Sequence, residues 1–154
     1  MRKMDKTEKK IMKLLQSDGR KSFVDMADDV GVTEGTIRRK FYRLVREGII
    51  RISGVSDPFK IGFKSPAIIA LNVEPGKMRE VAERISQLEP LYYVGLTTGI
   101  FDIIVQGVFP TNEDLARFIM EDLGNIEGIR EINTSLLLRI YKQSFEWGVA
   151  LETN

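Results

Sequence analysis

The 154-residue chain contains no cysteine and no histidine. Without cysteine there is no disulfide framework, and nothing ties the chain to an oxidising compartment. The two absences together exclude zinc sites built on thiolate or imidazole. They also exclude Cys–His and Ser–His–Asp nucleophile systems and any histidine general base. No apolar run approaches the ~18 residues that a membrane span needs; "AIIAL" (67–71) is among the longest. The basic start "MRKMDKTEKK" is followed by no hydrophobic region, so no secretory signal is expected. The expectation is a cytoplasmic chain with no membrane partner, no metal and no cofactor.

Net charge is also small, +1, but it is unevenly laid out. Residues 1–60 carry fifteen Lys/Arg against nine Asp/Glu, or +6; residues 61–154 carry eight against thirteen, or −5. Such a split suggests two parts with different partners. With 43% hydrophobic residues both parts have material for a core.

The first part reads as three helices. Asp5 with Glu8 has the form of a capping pair, and Ile11, Leu14 and Leu15 recur at helical spacing. Ser22 with Asp25 opens a short second helix that Gly31 ends. Thr33 caps a third, closed by Gly48. A three-to-four-residue glycine turn between the last two is the pattern of a helix-turn-helix. "IIRISGV" (49–55) is β-rich and predicts a wing strand; "SDPFKIGFKSP" (56–66) reads as a linker.

Beyond it the periodicity predicts strand (66–73), helix (75–90), strand (91–98), strand (100–109), helix from Thr111 to Gly124, and strand (128–142). Tyr92, Val94 and Leu96 are expected on one face of the second strand. This order is the ferredoxin-like βαββαβ arrangement, an antiparallel sheet with both helices on one face. The other face needs a cover, which favours a homodimer. The fold class is therefore α+β, with a winged helix-turn-helix at residues 1–52, a linker at 53–65 and a βαββαβ domain at 66–154.

The third helix concentrates Arg38, Arg39, Lys40, Arg43 and Arg46 in nine residues with no acid among them. Ile37, Phe41, Leu44 and Val45 form its apolar stripe, and Thr36, Arg39, Lys40, Arg43 and Arg46 fall away from it. Arg38 has Glu34 one turn earlier as a pairing partner. A cationic face on the second helix of a helix-turn-helix points to double-stranded DNA, with phosphates supplying affinity and the helix start meeting base edges. The candidate DNA-binding residues are Arg20, Lys21 and Ser22 before the second helix, and Thr33, Glu34, Thr36, Arg38, Arg39, Lys40 and Arg43 on the third. The reading requires that the cationic side be open to solvent and not engaged with the chain's own carboxylates.

The segments "MDKTEKKIMKLLQSDGRKSFVDMADDVGVTEGTIRRKFYRLVREGII" (4–50), "DPFKIG" (57–62) and "TTGIFDIIVQG" (97–107) together resemble the Lrp/AsnC, or feast–famine, transcription regulators. The resemblance implies a homodimer built through the βαββαβ (RAM) domain, often assembled further into tetramers or octamers. It also implies a small effector, usually an amino acid, near the hairpin turn. Carried over, the effector candidates are Thr97, Thr98, Gly99, Phe101 and Asp102, with Asp122, Thr134 and Ser135 as weaker ones. Asp102 suits an ammonium group; the Gly99 backbone and the threonine hydroxyls suit a carboxylate. Where the family usually has Arg, this chain has Lys40, which keeps the charge but not the bidentate fork.

Two other functions compete. Sirohaem decarboxylases resemble the same family but are expected to use histidines, which this chain lacks. An amino-acid-binding module with a vestigial first domain would have no reason to keep +6. Tyr141, Phe145 and Trp147 are expected to cover the sheet, and the acids of the last two helices read as solvated surface.

Overall fold

The computed structural model describes residues 4–144. Two compact units emerge, one holding residues 4–55 and 141–144, the other Ser56–Ile140.

The first unit is built on local caps. Helix α1 (Lys6–Ser17) starts with a complete capping box: Asp5 accepts from the Glu8 N–H and Glu8 accepts from the Asp5 N–H. Helix α2 (Phe23–Val30) is capped by Ser22 and ends at Gly31, whose φ of 78° is the left-handed conformation that glycine adopts cheaply. Thr33 caps α3 (Glu34–Arg46). Ile11, Leu15, Met26, Ala27, Ile37 and Leu44 make the core, with Phe41 and Phe23 packed on it. Val45, placed on the apolar stripe by its spacing, is instead 40% exposed. It lies at the edge of the stripe.

No strand forms over residues 49–55, where a wing was expected. A strand needs a hydrogen-bonded neighbour, and a unit of three helices offers none; Ile52 and Val55 are left exposed. A single 3₁₀ turn at Phe59–Ile61, closed by Gly62, follows.

The second unit has the expected order: β1 (Ser65–Val73), α4 (Met78–Ile85), β2 (Leu91–Leu96), β3 (Ile103–Phe109), α5 (Asn112–Arg117) and β4 (Ile129–Leu136). Helix α5 runs on as a π turn over Phe118–Leu123. The sheet order is β2-β3-β1-β4, all pairs antiparallel. Ala67, Ile69, Leu71 and Val73 alternate inward on β1, as do Ile103, Val105 and Phe109 on β3. They meet Val81 and Ile85 of α4 and Leu115, Phe118 and Leu123 of the α5 layer. Both helices therefore cover one face. The other face carries Ile68, Ile104 and Val108, all half-buried.

Two details differ from the simple alternation. The register of β2 shifts between Leu91 and Tyr93. Leu91 and Val94 therefore turn to the core, and Tyr92, expected beside Val94, is 53% exposed. One extra residue in a bulge reverses the faces before it. Strand β4 stops at Leu136, not near 142: the Leu137 N–H still donates to the Pro66 carbonyl, but Pro66 has no N–H with which to continue the ladder. Tyr141 is exposed, and Phe145 and Trp147 lie outside the described residues.

Candidate nucleic-acid interface

Helix α3 turns Ile37 and Leu44 fully inward. Gly35, Arg39, Tyr42 and Arg46, spaced four, three and four residues apart, fall on the opposite side, and all are exposed. Among the described residues neither Arg39 nor Arg46 has an ion-pair partner. These two cations meet the requirement of an open face.

Arg38 flanks the stripe on one side. Its guanidinium is 2.5 Å from Glu34 Oε1 and lies over the Phe23 ring at 4.8 Å from the centroid. The Glu34 carboxylate pushes its pKa further up, so the group stays charged. Phe23, Phe41 and Tyr42 form edge-to-face contacts that fix this corner. A groove of about 380 Å³ opens here, lined by Lys21, Ser22, Phe23, Val24, Glu34 and Arg38. It brings four candidate DNA-binding residues from two helix starts together.

Lys40 and Arg43 flank the stripe on the other side, and here the sequence expectation is corrected. Lys40 pairs with Asp5, and its side chain is only 15% exposed. Arg43 pairs with Glu8, which is fully buried. Both reach toward α1, although the Arg43 side chain stays 38% exposed. Helical spacing places them off the core of α3 but does not show that the first turn of α1 packs beside that flank. Lys40 holds the Asp5 carboxyl below its ordinary pKa.

The remaining candidates are capping or turn groups. Ser22 Oγ donates to Asp25 and accepts its N–H. Thr33 accepts from the Thr36 N–H, and the two hydroxyls are 3.0 Å apart. Lys21 is 2.7 Å from Asp29, which raises its pKa. Arg20 is exposed, with its backbone N–H on Asp18.

In the second unit the β2–β3 hairpin gathers five effector candidates within one loop. The Thr97 N–H donates to the Asp102 carbonyl at 2.9 Å, and the Thr97 hydroxyl donates to the Phe101 carbonyl at 2.5 Å. Asp102 Oδ2 accepts from the Val73 N–H at 2.9 Å. Gly99, at φ 129°, makes the turn. Thr98 and Gly99 are exposed; Phe101 and Asp102 are half-buried. The Thr97 hydroxyl and one Asp102 oxygen thus serve the hairpin itself. Thr134 and Ser135 are not brought to this loop: they lie on β4, separated from β3 by β1, and pair with Ile69 and Ile68 on opposite faces. Asp122 is exposed on the π turn, and its side chain has no hydrogen-bond or ion-pair partner among the described residues.

The family model described as "Lrp/AsnC ligand binding domain" matches residues 66–147, and one described as "Winged helix-turn-helix DNA-binding" matches residues 4–51. An uncharacterised HTH-type transcriptional regulator of Pyrococcus furiosus is 38% identical over 96% of this chain and 97% of its own length. The chain belongs to the Lrp/AsnC family. Another Pyrococcus furiosus relative, the HTH-type transcriptional regulator FL11, is 31% identical over 93% of this chain and 95% of its own. In three dimensions the Escherichia coli AsnC structure matches with a TM-score of 0.83 at 17% identity, over 94% of this chain and 99% of that one, which shows the shared fold.

As an Lrp/AsnC chain, the protein joins a DNA-binding helix-turn-helix to a ligand-binding domain. That is the build of a DNA-binding transcriptional regulator modulated by an effector. No helix among the described residues is long and apolar enough to cross a membrane. Sequence reasoning did not place Tyr42 on the outward face. Its signal was present: Tyr42 completes the 35–39–42–46 spacing, where it is 56% exposed while its ring also meets Phe23 and Phe41.

Proposed function

We propose that this Lrp/AsnC chain acts in the cytoplasm as a homodimeric, non-catalytic regulator whose α3 enters the major groove of double-stranded DNA. The observation that carries the reading is the outward stripe of Gly35, Arg39, Tyr42 and Arg46 with two unpaired guanidinium groups. Gly35 leaves open space at the helix start for close approach. Arg39 and Arg46 neutralise phosphates or read guanine, and the Lys21–Arg38 groove accepts the flanking backbone. The half-buried apolar face of the sheet, with Ile68, Ile104 and Val108, supports pairing of two copies.

The effector in this reading is a free amino acid held at the Thr97–Asp102 hairpin. The second oxygen of Asp102 receives the ammonium, and the exposed Thr98 hydroxyl and the backbone around Gly99 receive the carboxylate. A neighbour of the same fold, a transcriptional regulator of Neisseria meningitidis at 21% identity and TM-score 0.86 over 96% of this chain and 98% of that one, was solved as a complex with L-Met.

The test is fluorescence anisotropy with a duplex selected from a random pool by the wild-type protein. Arg39→Ala with Arg46→Ala should weaken binding and flatten the log–log salt slope by about 1.8, roughly 0.9 per lost phosphate contact. Unchanged affinity and slope would end the DNA-interface assignment. A thermal-shift screen of the twenty amino acids should find one that raises the melting point, with the gain lost in Asp102→Asn. No shift with any of them would remove the amino-acid effector.

A further inference from the structure

Two of the five cations between Arg38 and Arg46 are bound up in a contact that the DNA reading does not use. The first turn of α1 has two carboxylates and four oxygens. Asp5 Oδ1 accepts from the Glu8 N–H at 2.9 Å, and Glu8 Oε2 accepts from the Asp5 N–H at 3.0 Å. The other two oxygens face α3: Asp5 Oδ2 takes Lys40 and Glu8 Oε1 takes Arg43. Arg43 also stands 3.9 Å from Asp5 Oδ2. Each acid is thus divided between the backbone of one helix and a cation of the next.

Glu8 is fully buried, so drawing Arg43 away to a phosphate would take a cationic partner from a carboxylate that water does not reach. Arg43 Nε is buried, and among the described residues it has no hydrogen-bond partner. Lys40 is covered more fully, its side chain 15% exposed against 38% for Arg43. Base reading demands that side chains be held within about 0.5 Å and 10–20° of the productive geometry. The apolar stripe and the Phe23–Phe41–Tyr42 corner hold one side of α3, and the two ion pairs hold the opposite flank against α1.

We propose that Lys40 and Arg43 are positioning residues. With Asp5 and Glu8 they clamp α3 to the start of α1, set its rotation, and so fix how the Arg39–Tyr42–Arg46 stripe seats in the groove. They do not neutralise phosphates. The inference rests on the DNA-binding reading above. It assigns specificity for a chosen site to the clamp and general affinity to the outward arginines.

The test uses the full chain, the duplex selected by the wild-type protein, and a shuffled duplex of the same length, titrated between about 50 and 200 mM salt. Asp5→Asn keeps the cap, because Asn caps a helix as well as Asp does, but removes the charge that holds Lys40. Asp5→Asn and Lys40→Met should each weaken binding to the selected duplex roughly two- to five-fold at every salt concentration. Their salt slopes and their binding to the shuffled duplex should match wild type. The double variant should be no weaker than Lys40→Met alone. Arg43→Lys should restore part of the selectivity lost in Arg43→Met. By contrast, Arg39→Ala should weaken both duplexes and lower the slope by about 0.9.

A slope lowered by Lys40→Met as much as by Arg39→Ala would overturn the proposal, because Lys40 would then be a phosphate contact. Tighter binding of Asp5→Asn to both duplexes would overturn it equally, since the acid would merely have been competing with DNA. If Arg39→Ala leaves affinity and slope unchanged, the interface assignment itself fails, which is a different result.

Discussion

Glu8→Gln is the sharpest test of what holds the helical unit together. Glu8 is fully buried, accepts one backbone N–H and receives the Arg43 guanidinium. Glutamine preserves the shape and the carbonyl acceptor of the capping box but removes the charge. A hydrogen bond to a charged group is worth about 1.5–3 kcal/mol. The Arg43 side chain is 38% exposed, so water recovers part of that loss. The net cost should be about 1–2 kcal/mol, or roughly a 5- to 30-fold rise in the open population. Amide hydrogen exchange at Ile37 and Leu44, both fully buried on α3, reads this directly. Ile69 in the sheet core should keep its wild-type rate. Replacing both ends, Glu8→Met with Arg43→Met, should recover most of the loss, because a buried pair exchanged for apolar groups is often neutral. A change of less than about twofold at Ile37 and Leu44 in Glu8→Gln would refute the claim that the buried carboxylate stabilises the unit.

Acid titration of the far-ultraviolet circular dichroism should show the Asp5 contribution. Lys40 and backbone N–H groups hold its folded pKa below 3.8, so its stabilisation is present above the unfolded value and disappears as pH falls through the folded one. Wild type and Asp5→Asn should therefore differ above about pH 4 and converge below it; parallel curves throughout would show that the carboxylate is not the source. Gly99→Ala should strain the hairpin turn, where φ is 129°, by about 1–3 kcal/mol. It should also speed exchange at the Thr97 amide, with unchanged exchange counting against the turn.

Much of the fold was legible because its signals are local. Asp5 with Glu8, Ser22 with Asp25, and Thr111 with Asp114 all became caps, since a helix start is decided within four residues. Arg38 found Glu34 for the same reason. What escaped was non-local. Lys40 and Arg43 meet acids 35 residues earlier in the chain, and periodicity says only which face a side chain leaves by, not what waits there. The wing at 49–55 had the composition of a strand but no partner to pair with. The bulge in β2 moved Tyr92 off the expected face with no glycine to announce it. In the hairpin, sequence placed Thr97 and Asp102 together but not that both already hold backbone groups of their own loop and of β1.

The position of β1 bears on how the protein comes off the ribosome. It is the first strand of the sheet to be synthesised, yet it is hydrogen-bonded on both sides, to β3 and β4. One edge can pair with β3 once Phe109 has been made, but the other stays open until the chain reaches Leu136. The Asp5–Lys40 and Glu8–Arg43 contacts, by contrast, span 35 residues each and can close once α3 has been made. Loop closure delays distant pairings and leaves strand edges open to wrong partners. Nascent chains stalled before β4 should therefore be the aggregation-prone species, and the last strand, though it carries little of the core, is the one that completes the sheet.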